Sequence, residues 1–401
     1  MKILVISQYF WPEICPLNDL VLGLQEKGHE LTVLTGIPNY PDGKFYSGYS
    51  FLRPRTENLS GVRVLRVPLI PRGKGNKWRL ILNYLSFAWF SCLLAPFYCR
   101  GKYDVIFTYQ TSPITSVLPA ILLKRIKKIP MLLWIQDLWP DSVIAMKAIN
   151  SSFIINLITQ LSKEVYRCSD RVLVQSKEFI EKIAALGVNK EKISYLPNWA
   201  DKNYYPRNID ETPEIIQEIP KGFVVMYAGN VGKAQSFETI LLAMKKLSHY
   251  QQLHWVILGD GSSYEWLKAQ IKINNLTTNV HILGRKPSNL MPYYFAAANC
   301  LLVSLRNEPI FALTIPSKLQ SYLACGRPIL AALGGVGAKI VMEAQAGLVS
   351  APEDSEGLAH NIEKMYSMHH EELNKIGLNG RDFYEKNFSR SVILDRLNDL
   401  L

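Results

Sequence analysis

Twelve short apolar runs, each of strand length and each separated from the next by a helical or turn-rich stretch, constrain this chain more than any other feature. In the first half they are "KILVIS", "LTVLTG", "VRVLRV", "DVIFTY", "PMLLWIQ" and "RVLVQS". In the second half they are "FVVMYAG", "HWVILGD", "NVHILG", "CLLVSL", "PILAAL" and "AGLVS". Strands that are apolar on both sides belong to parallel sheets covered on both faces, and their alternation with helices predicts doubly wound α/β domains. A chain of 401 residues exceeds what one core serves, so two such domains are expected. The first spans 1–200 and the second 201–379, with a closing amphipathic helix over 380–401 packing back on the first. The junction falls in "YLPNWADKNYYPRNIDETPEIIQEIPKG", residues 195–222, where prolines and polar residues interrupt the periodicity. Ligands of open α/β sheets bind beyond the carboxyl ends of the strands, so two facing domains would hold theirs in a central cleft.

Charge separates the two halves. Residues 1–200 hold 25 Lys+Arg against 14 Asp+Glu and residues 201–401 hold 20 of each, so the whole excess of +11 lies in the first half. A basic half suits anionic lipid or a phosphorylated acceptor; nucleic acid is not expected, because no recognition motif accompanies the charge. The stretch Trp78–Cys99, "WRLILNYLSFAWFSCLLAPFYC", is long enough to span a bilayer but carries Arg79, Asn83 and Pro96 between basic flanks. A core helix, a helix lying in the membrane interface and a true span all remain open. Mixed aromatics and leucines with basic flanks are what interfacial binding uses. The six cysteines show no CxxC or metal-ligand spacing, which suits a reducing cytosol and supports neither a disulfide framework nor a metal site. The N-terminal "MKILVISQYF" reads as a first strand rather than a secretory signal.

The turns after the strands carry the chemistry. Gly229 opens "GNVGKAQSFETIL", in which Asn230, Gly232, Lys233 and Gln235 precede a helix starting near Ser236; free amides there and a lysine nearby suit a diphosphate. The spacing fits neither G-x-G-x-x-G nor a Walker loop, which argues against dinucleotide or ATP. Gly259 begins a second such turn, and Arg285 follows the strand ending at Gly284. In "RNEPIFALTIPSKLQSYLACGRPIL", Pro316 sits at a helix's first turn, with Ser317 and Lys318 where amides, a hydroxyl and an ammonium converge on an anion. Glu343 in "GGVGAKIVMEAQAG" is a candidate acceptor of ribose hydroxyls. In the first half, Asn18 and Asp19 enter a helix, and Asn39 and Asp42 lie in the Pro/Gly loop "TGIPNYPDGKFYSGY". Asp137 and Asp141 bracket the end of a strand in "WIQDLWPDS". Such loops commonly contact substrate.

With these residues in view, the sequence resembles the GT-B glycosyltransferases of family 4, most closely their bacterial surface-polysaccharide branch, which includes O-antigen L-fucosamine and colanic acid transferases. The resemblance rests on "ISQYFWPE", "NDLVLGL", "KGHELTVLTGIPNYPDGKF", "WIQDLWPDS", "YAGNVGKAQSFETIL" and "IPSKLQSYLACGRPI" together, over nearly the whole chain. It implies two Rossmann-like domains and sugar transfer with retention at the anomeric carbon. The nucleotide-sugar donor would sit on the second domain. The acceptor, a polyprenyl-diphosphate saccharide at the cytoplasmic face of the inner membrane, would sit on the first. The resemblance requires no metal and no cofactor.

Two departures stand out. The paired glutamates of many members fall on Leu313 and Ser321, which shifts donor contacts to Glu308 and Glu343. The flanking arginine and lysine fall on Asn230 and Gln235, which loads Lys318 and Lys233. The expected activity is transfer of N-acetyl-L-fucosamine or a related hexosamine from UDP, with Asp137 and Lys318 as the catalytic pair. A GT-B sugar-nucleotide epimerase, a silent sugar-nucleotide or lipid-binding module and a membrane scaffold are the rivals.

Overall fold

A computed structural model describes residues 1–52, 56–145, 151–208 and 213–401. The chain divides into two compact units, Met1–Pro197 with Leu394–Leu401, and Asn198–Ile393. Residues 209–212 of the expected junction lie outside the described residues. Of the closing segment 380–401, only Leu394–Leu401 belongs to the first unit, because the helix His370–Asn387 packs within the second.

The first unit holds β1 (Lys2–Ile6), β2 (Glu30–Gly36), β3 (Thr56–Leu59), β4 (Val62–Val67), β5 (Val105–Gln110), β6 (Met131–Ile135), β7 (Arg171–Val174) and β8 (Ile193–Tyr195). They form one sheet in the order β3-β4-β2-β1-β5-β6-β7-β8, parallel except for β3, which runs antiparallel to β4. β1 sits at the centre, its Ile3 in register with Leu31 of β2 and Val105 of β5. Every residue of β5 and β6 is buried, as strands covered on both faces require. Trp134 of β6 is fully buried in this core, and its indole N–H donates to the Leu196 carbonyl at 3.0 Å. It is a packing residue.

The second unit holds β9 (Phe223–Ala228), β10 (Leu253–Leu258), β11 (Val280–Gly284), β12 (Cys300–Ser304), β13 (Ile329–Ala332) and β14 (Gly347–Ser350). All are parallel, in the order β11-β10-β9-β12-β13-β14. Each unit is thus a doubly wound α/β domain with one switch point, where strand order reverses: between β1 and β5 in the first, and between β9 and β12 in the second.

The helix Lys77–Tyr98 departs from the core-helix reading. Its buried residues are Asn83, Ser86, Phe87, Ala88, Ser91 and Ala95, while Trp78 and Trp89 are 76% and 70% exposed. Apart from Phe87 the inward side is small or polar, while large apolar residues face outward, the reverse of an ordinary surface helix. Its start is well determined: the Asn76 side chain caps it, accepting from the amides of Trp78 and Arg79 at 3.0 and 3.1 Å.

Candidate active site

At the carboxyl end of β9 the chain turns at Gly229 with φ +133°. A Cβ on Gly229 would lie 2.3 Å from Cε of Lys318, so only glycine leaves room for that lysine over the turn. Gly259 ends β10 beside it with φ +135°, and a Cβ there would meet the Gly229 carbonyl at 1.9 Å. The two glycines let the adjacent strand ends and the lysine converge.

Lys318 lies in the first turn of the helix Ser317–Ala324, with Pro316 in the capping position just before it. Its ammonium donates to the Tyr227 hydroxyl and sits 4.2 Å from the centre of the same ring. Burial alone lowers its pKa to about 7, with no charged group opposing the shift. A half-buried cation with only a phenol and an aromatic face for company, at a helix N-terminus, is built to receive an anion.

The neighbouring loop is shaped from within. Gln235 accepts from the Gly232 amide at 3.1 Å and from the Asn230 side chain at 3.3 Å. Asn230 and Gln235 therefore hold the turn "GNVGKAQ" in shape, while Lys233 stands exposed above it. Sequence reasoning missed Tyr227, which reads as an ordinary strand residue, and Arg306. The Arg306 amide donates to Ala234 at 2.9 Å and its guanidinium meets Glu238 at 2.9 Å, while its buried Nε has no partner. Its place directly after the strand "CLLVSL" was the available signal.

Other candidates are scattered. Ser317 is exposed beside Lys318. Arg285 is exposed beyond β11, two strands from β9 and so about 10 Å away by strand spacing. Glu308 precedes the short helix Pro309–Leu313 at the carboxyl edge of β12 without a capping bond from its side chain, whereas Glu343 ends the helix Gly335–Glu343. Three residues later, Ala346 already accepts from the amide of Ile329 at the start of β13. Glu343 is therefore at the amino edge of the sheet, away from Lys318, and the structure does not bring the two together. Leu313 offers no hydrogen bond, and the Ser321 hydroxyl donates within its own helix to the Ser317 carbonyl at 3.3 Å.

In the first unit, Asp137 lies just beyond β6. One carboxylate oxygen accepts from the Ser112 hydroxyl at 2.7 Å, and that hydroxyl in turn accepts from the Trp139 indole at 3.2 Å. The relay fixes one face of the half-buried Asp137, and its second oxygen has no hydrogen bond among the described residues. Asp141 instead faces Lys182 at 3.5 Å at the start of the short helix Asp141–Ala145.

Glu13, for which the sequence suggested no role, is the hub of the loops above β1 and β2. It is 1% exposed and accepts from the amides of Asn39 and Tyr40, both at 2.7 Å, and from that of Phe10 at 3.4 Å. Burial raises its pKa to about 7 against the lowering effect of those amides and of Arg66. Asn39 is likewise buried, its side chain accepting from Arg72 N at 3.1 Å and from Asn83 at 3.3 Å. Asn18 ties the loop after β1 together, accepting from Trp11 N at 2.9 Å and donating to the Glu13 carbonyl at 2.8 Å. Asp19 is half-buried in the first turn of the helix Pro16–Glu26, and Asp42 is exposed, 3.7 Å from Lys74. The hydrogen bonds of Asn18 and Asn39 are thus internal, while Asp137 has one oxygen without a hydrogen bond among the described residues.

Comparison with known proteins agrees with this architecture. Residues 17–199 match the model of the glycosyl transferase 4-like domain and residues 208–383 that of glycosyl transferases group 1. Similar curated proteins include the probable glycosyltransferase WbjE of Pseudomonas aeruginosa, 26% identical over 80% of this chain and 81% of that one. The putative colanic acid biosynthesis glycosyl transferase WcaI of Escherichia coli is 25% identical over 81% of this chain and 82% of that one. Among solved structures, sucrose-phosphate synthase from Thermosynechococcus elongatus superposes with a TM-score of 0.77 at 18% identity, over 100% of this chain and 98% of that one. HepE of Anabaena in complex with UDP gives 0.71 at 16% identity, over 100% and 99%. At these identities the structural likeness establishes the fold.

Proposed function

We propose that this chain, a GT-B glycosyltransferase of the family 4 type by its fold and its two domain matches, moves a hexosamine such as N-acetyl-L-fucosamine from UDP to a polyprenyl-diphosphate saccharide during surface-polysaccharide synthesis. The observation that carries the donor half is the Lys318 ammonium over the Gly229 turn, with no carboxylate among the described residues to neutralise it. In the reaction the bond from the anomeric carbon to the diphosphate breaks, and UDP leaves with the electron pair. The acceptor oxygen bonds to that carbon. Negative charge gathers on the departing diphosphate, where Lys318, Lys233 and the amides of the turn stabilise it. The open oxygen of Asp137 orients the acceptor hydroxyl and takes its proton, with Ser112 holding the other oxygen in place. The solved complex of HepE with UDP-glucose and colanic acid biosynthesis in WcaI's name support this choice of donor and pathway class.

The exposed Trp78 and Trp89, with exposed Lys74, Lys77 and Arg79 at the start of the same helix, support work at the anionic cytoplasmic surface of the inner membrane. The test is incubation with a panel of UDP-sugars and a lipid-linked saccharide, followed by mass spectrometry of the lipid. One sugar added to the lipid is expected, reduced about 100-fold or more in Asp137→Asn. Isomerised donor formed without acceptor would make the protein an epimerase instead, and UDP binding with no turnover would make it a binding module.

A further inference from the structure

We propose that an apolar groove beside the helix Lys77–Tyr98 holds the hydrocarbon chain of the acceptor lipid, with the basic start of that helix on its diphosphate. The inference rests on the reading of the acceptor as lipid-linked, and it adds the place where the lipid part binds.

The groove has a volume of about 560 Å³, within the range of small-molecule sites. Leu82, Leu85, Ala88 and Trp89 form its helical wall, Ile70 closes one side and Leu118 the other. Leu85 is 53% and Trp89 70% exposed, so a large apolar surface is left without a partner among the described residues. Ser86 adds no free polar group: its hydroxyl accepts from the Ile70 amide at 2.9 Å and donates to the Asn83 carbonyl at 3.1 Å. A peptide laid here would bury backbone N–H and C=O groups with nothing to bond them, whereas a hydrocarbon chain has none to satisfy.

Charge fixes which hydrocarbon. Residues 71–102 contain Arg72, Lys74, Lys77, Arg79, Arg100 and Lys102 and no Asp or Glu. Four of the six precede the groove, at the start of the helix, and Lys74, Lys77 and Arg79 are exposed. An anionic head followed by an apolar tail matches that order along the helix. From Leu82 to Cys92 the helix rises about 15 Å, room for an extended chain of several isoprene units.

The polar side of the same helix leads to the reacting groups. Asn83 donates to the Ile70 carbonyl at 2.7 Å and to Asn39 at 3.3 Å, and accepts from Gln8 at 2.8 Å, just beyond β1. Leu118, the opposite wall, begins the helix Leu118–Lys127 six residues after Ser112, whose hydroxyl holds Asp137. One helix therefore faces the groove on one side and the switch point of its unit on the other. A chain seated in the groove would deliver its head group to that edge.

Cys92 lines the groove and reports on its occupancy. In the full-length protein, geranylgeranyl phosphate should slow alkylation of Cys92 by N-ethylmaleimide about tenfold, read by peptide mass spectrometry, while inorganic phosphate leaves the rate unchanged. Equal protection by anionic vesicles free of isoprenoid would mean general membrane contact and overturn the groove. Ala88→Trp, which fills it without adding charge, should raise the KM for a polyprenyl-linked acceptor in detergent about tenfold and leave a geranyl-linked acceptor and UDP binding unchanged. Should Ala88→Trp fail to fold, Leu85→Glu at an exposed position serves the same comparison. Equal effects on both acceptors, or none on either, would overturn the proposal. If the wild type turns over neither acceptor, the proposed activity fails, and protection of Cys92 still decides the groove.

Discussion

The two switch points make opposite use of a buried ionisable group. In the first unit the group is Glu13, its carboxylate engaged by the amides of Asn39 and Tyr40. In the second it is Lys318, whose ammonium meets only the ring and hydroxyl of Tyr227. Burial moves both toward neutrality, Glu13 up to about 7 and Lys318 down to about 7. What separates them is satisfaction. A carboxylate holding three backbone amides, those of Asn39, Tyr40 and Phe10, is an internal brace, and its ligands are already present. An ammonium without an anion is an incomplete site whose missing partner must come from outside.

The comparison predicts unequal consequences of mutation. Lys318→Ala should leave folding intact, since it removes no bond on which the backbone depends. It should lower kcat by roughly 100- to 1000-fold, the usual cost of one group that stabilises developing charge. UDP affinity, measured by calorimetry, should fall with it. Wild-type turnover in this variant would move the diphosphate site elsewhere and end the contrast.

Much of this contrast was out of reach of sequence reading, and the reasons are physical. Twelve strands were legible from their continuous apolar runs, which burial on both faces leaves in the inner strands and which the half-buried edge strands β11 and β14 also carry. β3 and β8 were not, because Thr56–Leu59 alternates exposed with half-buried residues at the sheet edge and Ile193–Tyr195 is only three residues long. Lys318 was legible because Pro-Ser-Lys at a helix start has a local meaning. Glu13 was not, since its two short bonds come from amides 26 and 27 residues away, and the one local partner, the Phe10 amide at 3.4 Å, is a bond that many turns make. Asn18 and Asn39 look like ligands in a loop, yet a loop above a sheet must also satisfy its own backbone, and here those side chains do so. Glu343 shows the remaining gap: a helix after a strand brings its first turn to the ligand edge and its last turn to the other, so nine residues of helix change the assignment.

Glu13→Gln tests the brace directly, because glutamine keeps an oxygen for the amides of Asn39 and Tyr40, gives up only the long 3.4 Å bond from the Phe10 amide, and loses the titration. An acid with a raised folded pKa binds more protons folded than unfolded between about pH 4.5 and 7. The wild type therefore loses stability as pH rises through that window, by roughly 3 kcal/mol in all. Urea unfolding followed at the first unit should give similar stabilities for the two proteins near pH 4. The variant should be the more stable by about that amount near pH 8. A variant that is less stable at pH 8 would mean that the ionised carboxylate is needed beside Arg66, and Glu13 would then resemble a charge site after all.

The smallest expected effect lies in the wild-type protein. Without ligand, Lys318 loses its proton around pH 7. A diphosphate placed against it favours the charged form and raises that pKa, so UDP binding above pH 7 must draw a proton from solvent. UDP affinity should thus fall by up to about tenfold for each pH unit between 7 and 9, with proton uptake visible as a buffer-dependent heat of binding. Lys318→Arg, charged throughout this range, should flatten the profile even if its larger head weakens binding overall. A wild-type profile already flat from pH 7 to 9 would mean that the ammonium stays charged when free, and the open site would differ from the closed one in its hydrogen bonds alone.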